Sequence, residues 1–275
     1  MTWWEALVLG VVQGLTEFLP ISSSAHISIV GQLIGSRDPG SAFTAITQLG
    51  TEAAVLLYFR RDIVRIVVAW CRALVGRGPR DDPDARMGWL VILGSVPIVV
   101  LGLLFQDAID SSLRDLRITA ATLAGFALVL GFADARARTV RTLDQLTYRH
   151  GLLYGVAQSL ALIPGVSRSG GTLTAGLLMG YTREAAARYS FLLAIPAVVG
   201  SGLFKLVDVG NDPVPPQWDV IALATVVAFG VGYVVIAWLL RYLATHSFRP
   251  FVLYRLALAA VLVVLLASGV LEPTA

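Results

Sequence analysis

Two polar stretches interrupt an otherwise apolar sequence, and they contain the residues best suited to chemistry. The first, Glu17–His26, carries a carboxylate, a proline, three serines and an imidazole. The second, Pro164–Thr172, carries one guanidinium, Arg168, among serines and glycines. Carboxylates, hydroxyls and imidazoles transfer protons or attack electrophiles, whereas a guanidinium binds phosphate through parallel hydrogen bonds. The sequence therefore predicts that the two stretches meet inside a bilayer as one site for a phosphorylated lipid.

A carboxylate within an apolar segment is costly, so Glu17 is expected to be functional, although an interfacial carboxylate that reaches water is an alternative. Gln13 precedes it by one helical turn and lies on the same face. Oxygen atoms from this pair suit a hard divalent cation, Mg²⁺ or Ca²⁺. A further carboxylate, Glu52, lies in the middle of the next apolar segment. It could add a ligand to that cation or be a paired structural charge, and both interpretations stay open.

The serines that follow Pro20 are expected to cap a new helix, whose N-terminus attracts phosphate. Capping alone would also explain serines here. Ser22 and Ser23 are the candidates for substrate binding and attack. His26 lies three residues after Ser23, on the same helical face, so a catalytic serine–histidine pair is predicted. A lone histidine is more often structural, and His150 and His246, in basic loops, are interpreted that way.

The second stretch is expected to bind the anion. The planar fork of Arg168 suits phosphate, and the neighbouring glycines allow backbone amides to turn toward the same oxygens. The expected ligands beside it are Ser167, Ser169, Gly170, Gly171 and Thr172. A Walker loop is absent from this stretch, so nucleotide binding is disfavoured. The alternative is that Arg168 pairs with Glu17 for structural reasons only.

Composition predicts an all-α integral membrane protein. Hydrophobic residues make up 56% and charged residues 14% of the chain, against roughly 45–50% and 25% in soluble domains. One cysteine excludes an internal disulfide and a thiolate metal cluster. The net charge of +3 is small, and the arginines fall mostly in short loops, so nucleic acid is not an expected partner. The N-terminus lacks the basic start of a signal peptide, so residues 1–20 are interpreted as mature protein.

The order of apolar segments predicts two halves with one plan in a single membrane domain. Each half begins with two short apolar runs around a polar break, which is the pattern of a re-entrant helical hairpin. Three crossings of about 20 residues are expected to follow in each half, at about 42–59, 88–105, 118–134, 186–206, 219–241 and 251–270. The first crossing is expected to continue as a basic amphipathic extension to about 75.

The halves are repeat one at about 1–134 and repeat two at about 150–275, joined by a linker at about 135–149. Three crossings are an odd number, so the second half is inverted relative to the first. The two hairpins can then touch near the midplane, as in inverted-repeat transporters.

Arginine placement predicts the orientation in the membrane. Four segments on one face, 72–86, 135–149, 181–188 and 241–250, contain twelve arginines, whereas the other face has Arg37, Arg114, Arg117 and Lys205. The positive-inside rule makes the arginine-rich face cytoplasmic. Both termini and the mouth of the first hairpin are then extracytoplasmic.

At these motifs the sequence resembles the undecaprenyl-pyrophosphate phosphatases, also called bacitracin-resistance proteins, of the bacterial cell envelope. The resemblance rests on Gln13–Ser23, His26 and Pro164–Gly170, and it extends over essentially the whole chain, including Tyr148–Arg149, Pro250–Phe251 and Tyr254–Arg255. It implies a divalent-cation-dependent hydrolase in the bacterial cytoplasmic membrane. The implied reaction releases phosphate from undecaprenyl pyrophosphate and recycles the lipid carrier for peptidoglycan synthesis, which is linked to bacitracin resistance.

The resemblance also implies roles for individual residues. Glu17 would be essential for catalysis and metal use, Ser23 and His26 would perform or assist the attack, and Arg168 would hold the pyrophosphate. Members of that family with glutamate at the position of Gln13 have one carboxylate more than this chain, which leaves the ligand set of the metal open. A serine nucleophile and an activated water both fit these residues.

The competing interpretation is an inverted-repeat transporter or flippase for a polyprenyl phosphate lipid. Transport needs no serine–histidine pair beside a carboxylate, and it releases no free phosphate. A purely structural scaffold would leave Glu17 and Arg168 unexplained. A homo-oligomer is compatible with the sequence.

Overall fold

The computed structural model describes residues 1–35, 40–79, 81–110, 113, 115–208 and 217–274, and its regular secondary structure is helical throughout these residues. Arg37 and Arg114, used above to infer orientation, lie outside them. The α-helices of the described residues are α1 (Trp3–Thr16), α2 (Ser23–Leu33), α3 (Gly40–Tyr58), α4 (Arg60–Leu74), α5 (Pro83–Leu104), α6 (Gln106–Asp110), α7 (Leu116–Arg136), α8 (Tyr148–Ser159), α9 (Arg168–Leu178), α10 (Arg183–Asp208), α11 (Trp218–Leu243) and α12 (Arg249–Ala267).

Two pairs of short helices form the hairpins expected at the polar breaks. α1 packs against α2, and α8 packs against α9. These helices contain 14, 11, 12 and 11 residues, which at 1.5 Å per residue gives about 17 to 21 Å. Each is therefore too short to cross a hydrocarbon core of about 30 Å.

Five helices of the described residues are long and apolar enough to cross a membrane, namely α5, α7, α10, α11 and α12. They correspond to five of the six crossings expected from the sequence. The remaining one, α3, is not among them, and it carries several polar residues in its middle. Thr47, Thr51 and Glu52 are all buried, and α3 packs against both α10 and α11.

The amphipathic extension is a separate helix rather than a continuation of α3. Phe59 leaves the helical conformation, with φ −93° and ψ 14°, and α4 starts at the next residue. α4 packs against α5, where Gly88 lies against the Trp70 side chain. The face of α4 that contains Val64, Val67 and Val68 is exposed.

The first helix of each hairpin packs on a long helix that is distant in the sequence. α1 packs on α11 of the other half, and α8 packs on α5. Both contacts depend on glycine: a side chain at Gly10 would collide with the backbone of Ala224, and one at Gly155 with the backbone of Gly94. The first helix of each hairpin is thus held close to a crossing helix of the opposite half.

The buried carboxylate of Asp134 connects the end of α7 with the starts of α10 and α12. Asp134, near the end of α7, accepts hydrogen bonds from Arg183 Nε at 2.7 Å and from the backbone N–H of Phe248 at 2.9 Å. These donors lie at the starts of α10 and α12. The contact fixes the ends of these helices on the side where the linker runs, away from the polar breaks.

Candidate active site

The two polar breaks have the same local geometry. Ser22 and Ser167 both have a positive φ, 74° and 71°, which is uncommon for a residue other than glycine. Each is the N-cap of the helix that follows, and its Oγ accepts a hydrogen bond from the backbone N–H three residues later. Each Oγ also lies 3.1 Å from the Oγ of the serine two positions on, Ser24 or Ser169.

The equivalence extends along both hairpins. Thr2 caps α1 and Thr147 caps α8, each through its side-chain oxygen. Gln13 and Gln158 are both completely buried. The two threonines, the two glutamines and the two cap serines are each separated by the same number of positions along the chain. The prolines of the two breaks, Pro20 and Pro164, are not equivalent, because the position of Pro20 is matched by Gly165.

Glu17 lies at the centre of the site, and its carboxylate contacts both hairpins. It is the C-cap residue of α1 and is 7% exposed. Its Oε2 accepts hydrogen bonds from Gln13 Nε2 and from Ser23 Oγ, each at 2.7 Å. Its Oε1 accepts a hydrogen bond from Arg168 Nη2. One carboxylate therefore connects the expected nucleophile with the expected phosphate ligand.

Arg168 is the first residue of α9, and its side chain is largely buried at 15% exposure. It contributes to the wall of the same cavity as Glu17. One of its guanidinium nitrogens binds Glu17, and a guanidinium has five N–H donors in total. Donors therefore remain for a phosphate even while the ion pair is formed.

The other residues predicted to bind phosphate in this stretch are mostly bonded within the protein. The amides of Gly170 and Gly171 bond to Ser167, the first to its Oγ and the second to its carbonyl. Ser169 Oγ donates to the carbonyl of Leu19 at 3.0 Å, and Thr172 Oγ1 donates to the carbonyl of Arg168 at 2.8 Å. Ser167 and Arg168 alone of this group line the cavity in the described residues.

The glycines are needed for close packing. A side chain at Gly170 would meet the guanidinium of Arg255, and one at Gly171 would meet the carbonyl of Ala157. Their role is to let α9 approach its neighbours.

His26 is placed differently from the prediction. Its Nδ1 lies 2.7 Å from the carbonyl of Ser22, and its Nε2 lies 2.7 Å from Tyr254 Oη. The two rings also stack, with centroids 5.6 Å apart. Ser23 donates to Glu17 instead, so the expected serine–histidine pair is a serine–glutamate pair. His26 supports the turn on which Ser23 lies.

Arg255 is a residue of the site that sequence reasoning missed. It is fully buried and donates to the carbonyls of Pro20 at 3.2 Å, Gly165 at 2.8 Å and Val166 at 3.1 Å. One guanidinium thus holds the backbones of both breaks. The signal was present in the sequence, because an arginine inside an apolar helix is costly and needs partners.

Two buried oxygens close to the site lack a hydrogen-bond partner among the described residues: Gln13 Oε1 and Glu52 Oε1. Glu52 also interacts electrostatically with Arg168 and Glu17. The described residues contain no group of three or more histidine, cysteine, aspartate or glutamate side chains that could hold a metal ion. The available oxygens therefore fit a hard cation only if a ligand such as pyrophosphate supplies the remaining coordination.

These groups form the polar end of a cavity of about 510 Å³. Glu17, Ser23 and Arg168 are at this end, and the walls are mainly apolar side chains of α5 and α10. The arrangement can bind an anion, deprotonate a hydroxyl and accommodate hydrocarbon. It suits a phosphorylated lipid.

Comparison with known proteins agrees with this geometry. The profile of the family described as bacitracin resistance protein BacA matches residues 6–261. An undecaprenyl-diphosphatase of Kineococcus radiotolerans is 65% identical over 97% of this chain and 95% of its own length. An undecaprenyl-diphosphatase of Pseudarthrobacter chlorophenolicus is 64% identical over 99% of this chain and 100% of its own. A protein of Streptomyces coelicolor named undecaprenyl-diphosphatase 2 is 56% identical, with coverages of 100% and 98%. The chain therefore belongs to the bacitracin resistance protein BacA family.

Proposed function

We infer that this protein hydrolyses undecaprenyl pyrophosphate to undecaprenyl phosphate and inorganic phosphate. The observation that carries the inference is the double contact of Glu17, with Ser23 on one oxygen and Arg168 on the other. A proton acceptor, a nucleophile and an anion-binding group thus meet at the polar end of an apolar cavity. The relatives of that name match the chain over nearly its whole length. The reaction recycles the lipid carrier for cell-wall synthesis and accounts for bacitracin resistance.

We propose a role for each group, supported by these contacts. Arg168 binds the terminal phosphate with the donors that Glu17 does not use. Ser23 Oγ attacks the terminal phosphorus while Glu17, at 2.7 Å, takes its proton. The bond between that phosphorus and the bridging oxygen breaks, and undecaprenyl phosphate leaves. Water then hydrolyses the phosphoserine. A direct attack by water held between Ser23 and Glu17 uses the same residues and gives the same products.

We propose a divalent cation, Mg²⁺ or Ca²⁺, as the cofactor. Glu17, together with Gln13 Oε1 and Glu52 Oε1, which have no hydrogen-bond partner in the part of the chain that the structure describes, would hold it along with oxygens of the substrate. When bound, such an ion neutralises the negative charge of a transferring phosphoryl group.

We also propose an inverted-repeat topology in the bacterial cytoplasmic membrane. In this topology the two hairpins are re-entrant, α3 is the sixth crossing, and the cavity opens to the extracytoplasmic side. The equivalent caps of the two hairpins and the reciprocal packing of α1 on α11 and α8 on α5 support it. The polar side chains of α3 are buried against the rest of the protein, which makes a membrane position tolerable.

Phosphate release by the purified, detergent-solubilised protein tests the proposed function. Undecaprenyl pyrophosphate is supplied with and without a chelator to the wild type, Glu17→Ala, Arg168→Ala and, as a control, Glu184→Ala at an exposed position. We expect chelator-sensitive release that the first two substitutions abolish and the control retains. Folded wild type that binds the lipid but releases no phosphate would contradict hydrolysis and favour a polyprenyl phosphate flippase.

A further inference from the structure

The short helix α4 presents three different sides around its axis. Successive residues of a helix are rotated by about 100°, so residues three, four or seven positions apart share a side. Ile66 and Trp70 are turned toward the protein, where Trp70 packs against Gly88 of α5. A second side is apolar, and Val64 is 61% and Val67 is 50% exposed on it. The members of this apolar side are Val64, Val67, Val68, Cys71 and Leu74.

The apolar side of α4 continues the exposed surface of α5. The ring centroids of Trp70 and Trp89 lie 5.5 Å apart, and Trp89 is followed on α5 by exposed Ile92, Leu93 and Val96. Because α5 is long and apolar enough to cross a membrane, its exposed apolar side chains are suited to contact lipid. Tryptophan is enriched at the boundary between membrane and water. The two tryptophans therefore indicate that α4 lies at the level of this boundary.

The third side of α4 is cationic. It carries Arg61, Arg65 and Arg72, on the flank of the apolar side that is opposite to Trp70. The carboxylates of Asp62 and Asp84 both pair with Arg65, at 3.2 and 2.7 Å. Arg61 and Arg72 are exposed and have no carboxylate partner in the part of the chain that the structure describes. Two guanidinium groups beside an exposed apolar surface are thus available to an external anion.

We propose that α4 lies in the headgroup layer of the bilayer and binds anionic phospholipids through Arg61 and Arg72. A helix of 15 residues is about 22 Å long, which is too short to cross the membrane. A basic, strongly amphipathic helix of this kind is typical of the membrane surface. Lipid binding at this position does not depend on the proposed hydrolysis.

A bilayer surface matches the two exposed sides of α4. The apolar side inserts among the upper acyl chains, and the arginines extend toward the lipid phosphates. The positive charge of the third side favours an anionic headgroup over a neutral one. Chains and phosphates meet at the bilayer surface in the same order as the apolar and cationic sides meet on α4.

Cys71 offers a direct probe of the lipid beside α4. It is the only cysteine of the chain, and it is exposed on the apolar side. A bimane fluorophore is attached to it, and the whole protein is placed in phosphatidylcholine nanodiscs. Increasing fractions of a nitroxide-labelled lipid, either phosphatidylglycerol or phosphatidylcholine, then quench the fluorophore. The control for label position is Cys71→Ser/Val226→Cys, with the label at an exposed position of α11.

We expect labelled phosphatidylglycerol to reach half-quenching at Cys71 at a mole fraction at least about threefold lower than labelled phosphatidylcholine. Arg61→Gln/Arg72→Gln should bring the two values together. Arg241→Gln/Arg249→Gln removes the same charge at two exposed positions outside α4 and should keep the preference. The two lipids should quench a label at position 226 equally.

Three results would overturn the inference. Quenching at position 226 but by neither lipid at Cys71 would mean that water, a second copy or another protein covers the apolar side. Equal quenching at Cys71 by the two lipids would mean that α4 contacts lipid without selecting an anionic headgroup. A preference that persists in Arg61→Gln/Arg72→Gln would mean that other charges select the lipid.

Discussion

The two hairpins share a scaffold but differ at the positions that carry chemistry. Both begin at a threonine cap, contain a buried glutamine and turn at a serine with positive φ. At the position equivalent to Glu17 the second hairpin has Leu162, and at the position equivalent to Ser23 it has Arg168. In the proposed reaction the first hairpin therefore supplies the proton acceptor and the nucleophile, whereas the second supplies the guanidinium.

In the proposed function, two hairpins with the same local geometry thus divide one reaction between them. What both hairpins retain serves to place a helix N-terminus beside the cavity. The residues that differ determine what this N-terminus presents to the cavity. In the first hairpin it presents a hydroxyl beside a carboxylate, and in the second it presents a guanidinium. Substitutions in one hairpin should therefore have effects that equivalent substitutions in the other do not.

The largest effect is expected from Glu17→Gln, which keeps the shape of the side chain and removes its negative charge. We expect kcat for undecaprenyl pyrophosphate to fall by about 10³-fold, because Ser23 loses its proton acceptor and Arg168 its partner. Glu184→Gln, at an exposed position, is the control and should behave as wild type. More than a tenth of wild-type activity in Glu17→Gln would mean that another group accepts the proton.

A smaller loss is expected from Arg168→Lys. The charge is kept, but the planar fork is lost, so we expect activity to fall by about 10²-fold. Arg249→Lys, at an exposed position in the first turn of α12, should have no effect. Phosphate release at the wild-type rate from Arg168→Lys would exclude bidentate binding of the phosphate by this residue.

Arg255→Met tests whether the two hairpins must be held together. The carbonyls of Pro20, Gly165 and Val166 lose their donor, and an unpaired buried acceptor is destabilising. We expect a lower melting temperature and, at a temperature where the variant is folded, activity reduced by about tenfold because Glu17 and Arg168 are no longer aligned. Arg241→Met, at an exposed site, should change neither quantity; equal behaviour of the two variants would contradict the role of Arg255.

The smallest effects separate the two buried glutamines. Gln13→Leu removes the hydrogen bond to Glu17 Oε2 and one proposed ligand of the cation, and it should lower kcat by about fivefold or more. Gln158 has no partner for either side-chain polar atom among the described residues. Gln158→Leu should therefore leave kcat unchanged and keep or raise the melting temperature. Equal losses of activity in the two variants would show that the second glutamine also serves the site.

The sequence predicts the hairpins well because their signal is local. A proline and several serines within an apolar run indicate a break wherever the run lies, and both breaks are observed. Five crossings are also recovered from length and composition. α3 differs, since the polar residues that lower its hydropathy are the ones it buries against α10 and α11.

The parts of the site that could not be predicted depend on partners far apart in the chain or on the backbone. Tyr254 binds His26 across 228 positions, and helical spacing contains no information about that contact. Arg255 binds carbonyl groups, which every residue has, so no side-chain pattern identifies them. From the sequence alone, Gly170 and Gly171 could either turn their backbone amides toward a phosphate or allow helices to pack closely. The positions of Arg255 and Ala157 distinguish these two roles.

The bonds between the hairpins also limit how this protein can move during turnover. Ser169 Oγ to the carbonyl of Leu19, Arg168 to Glu17, and Arg255 to both breaks all join one half to the other. A rocking motion that separated the halves to expose the site alternately on each side would break all of these bonds together. Hydrolysis at the site as it stands requires no such motion, so the two hairpins can act as one rigid centre during turnover.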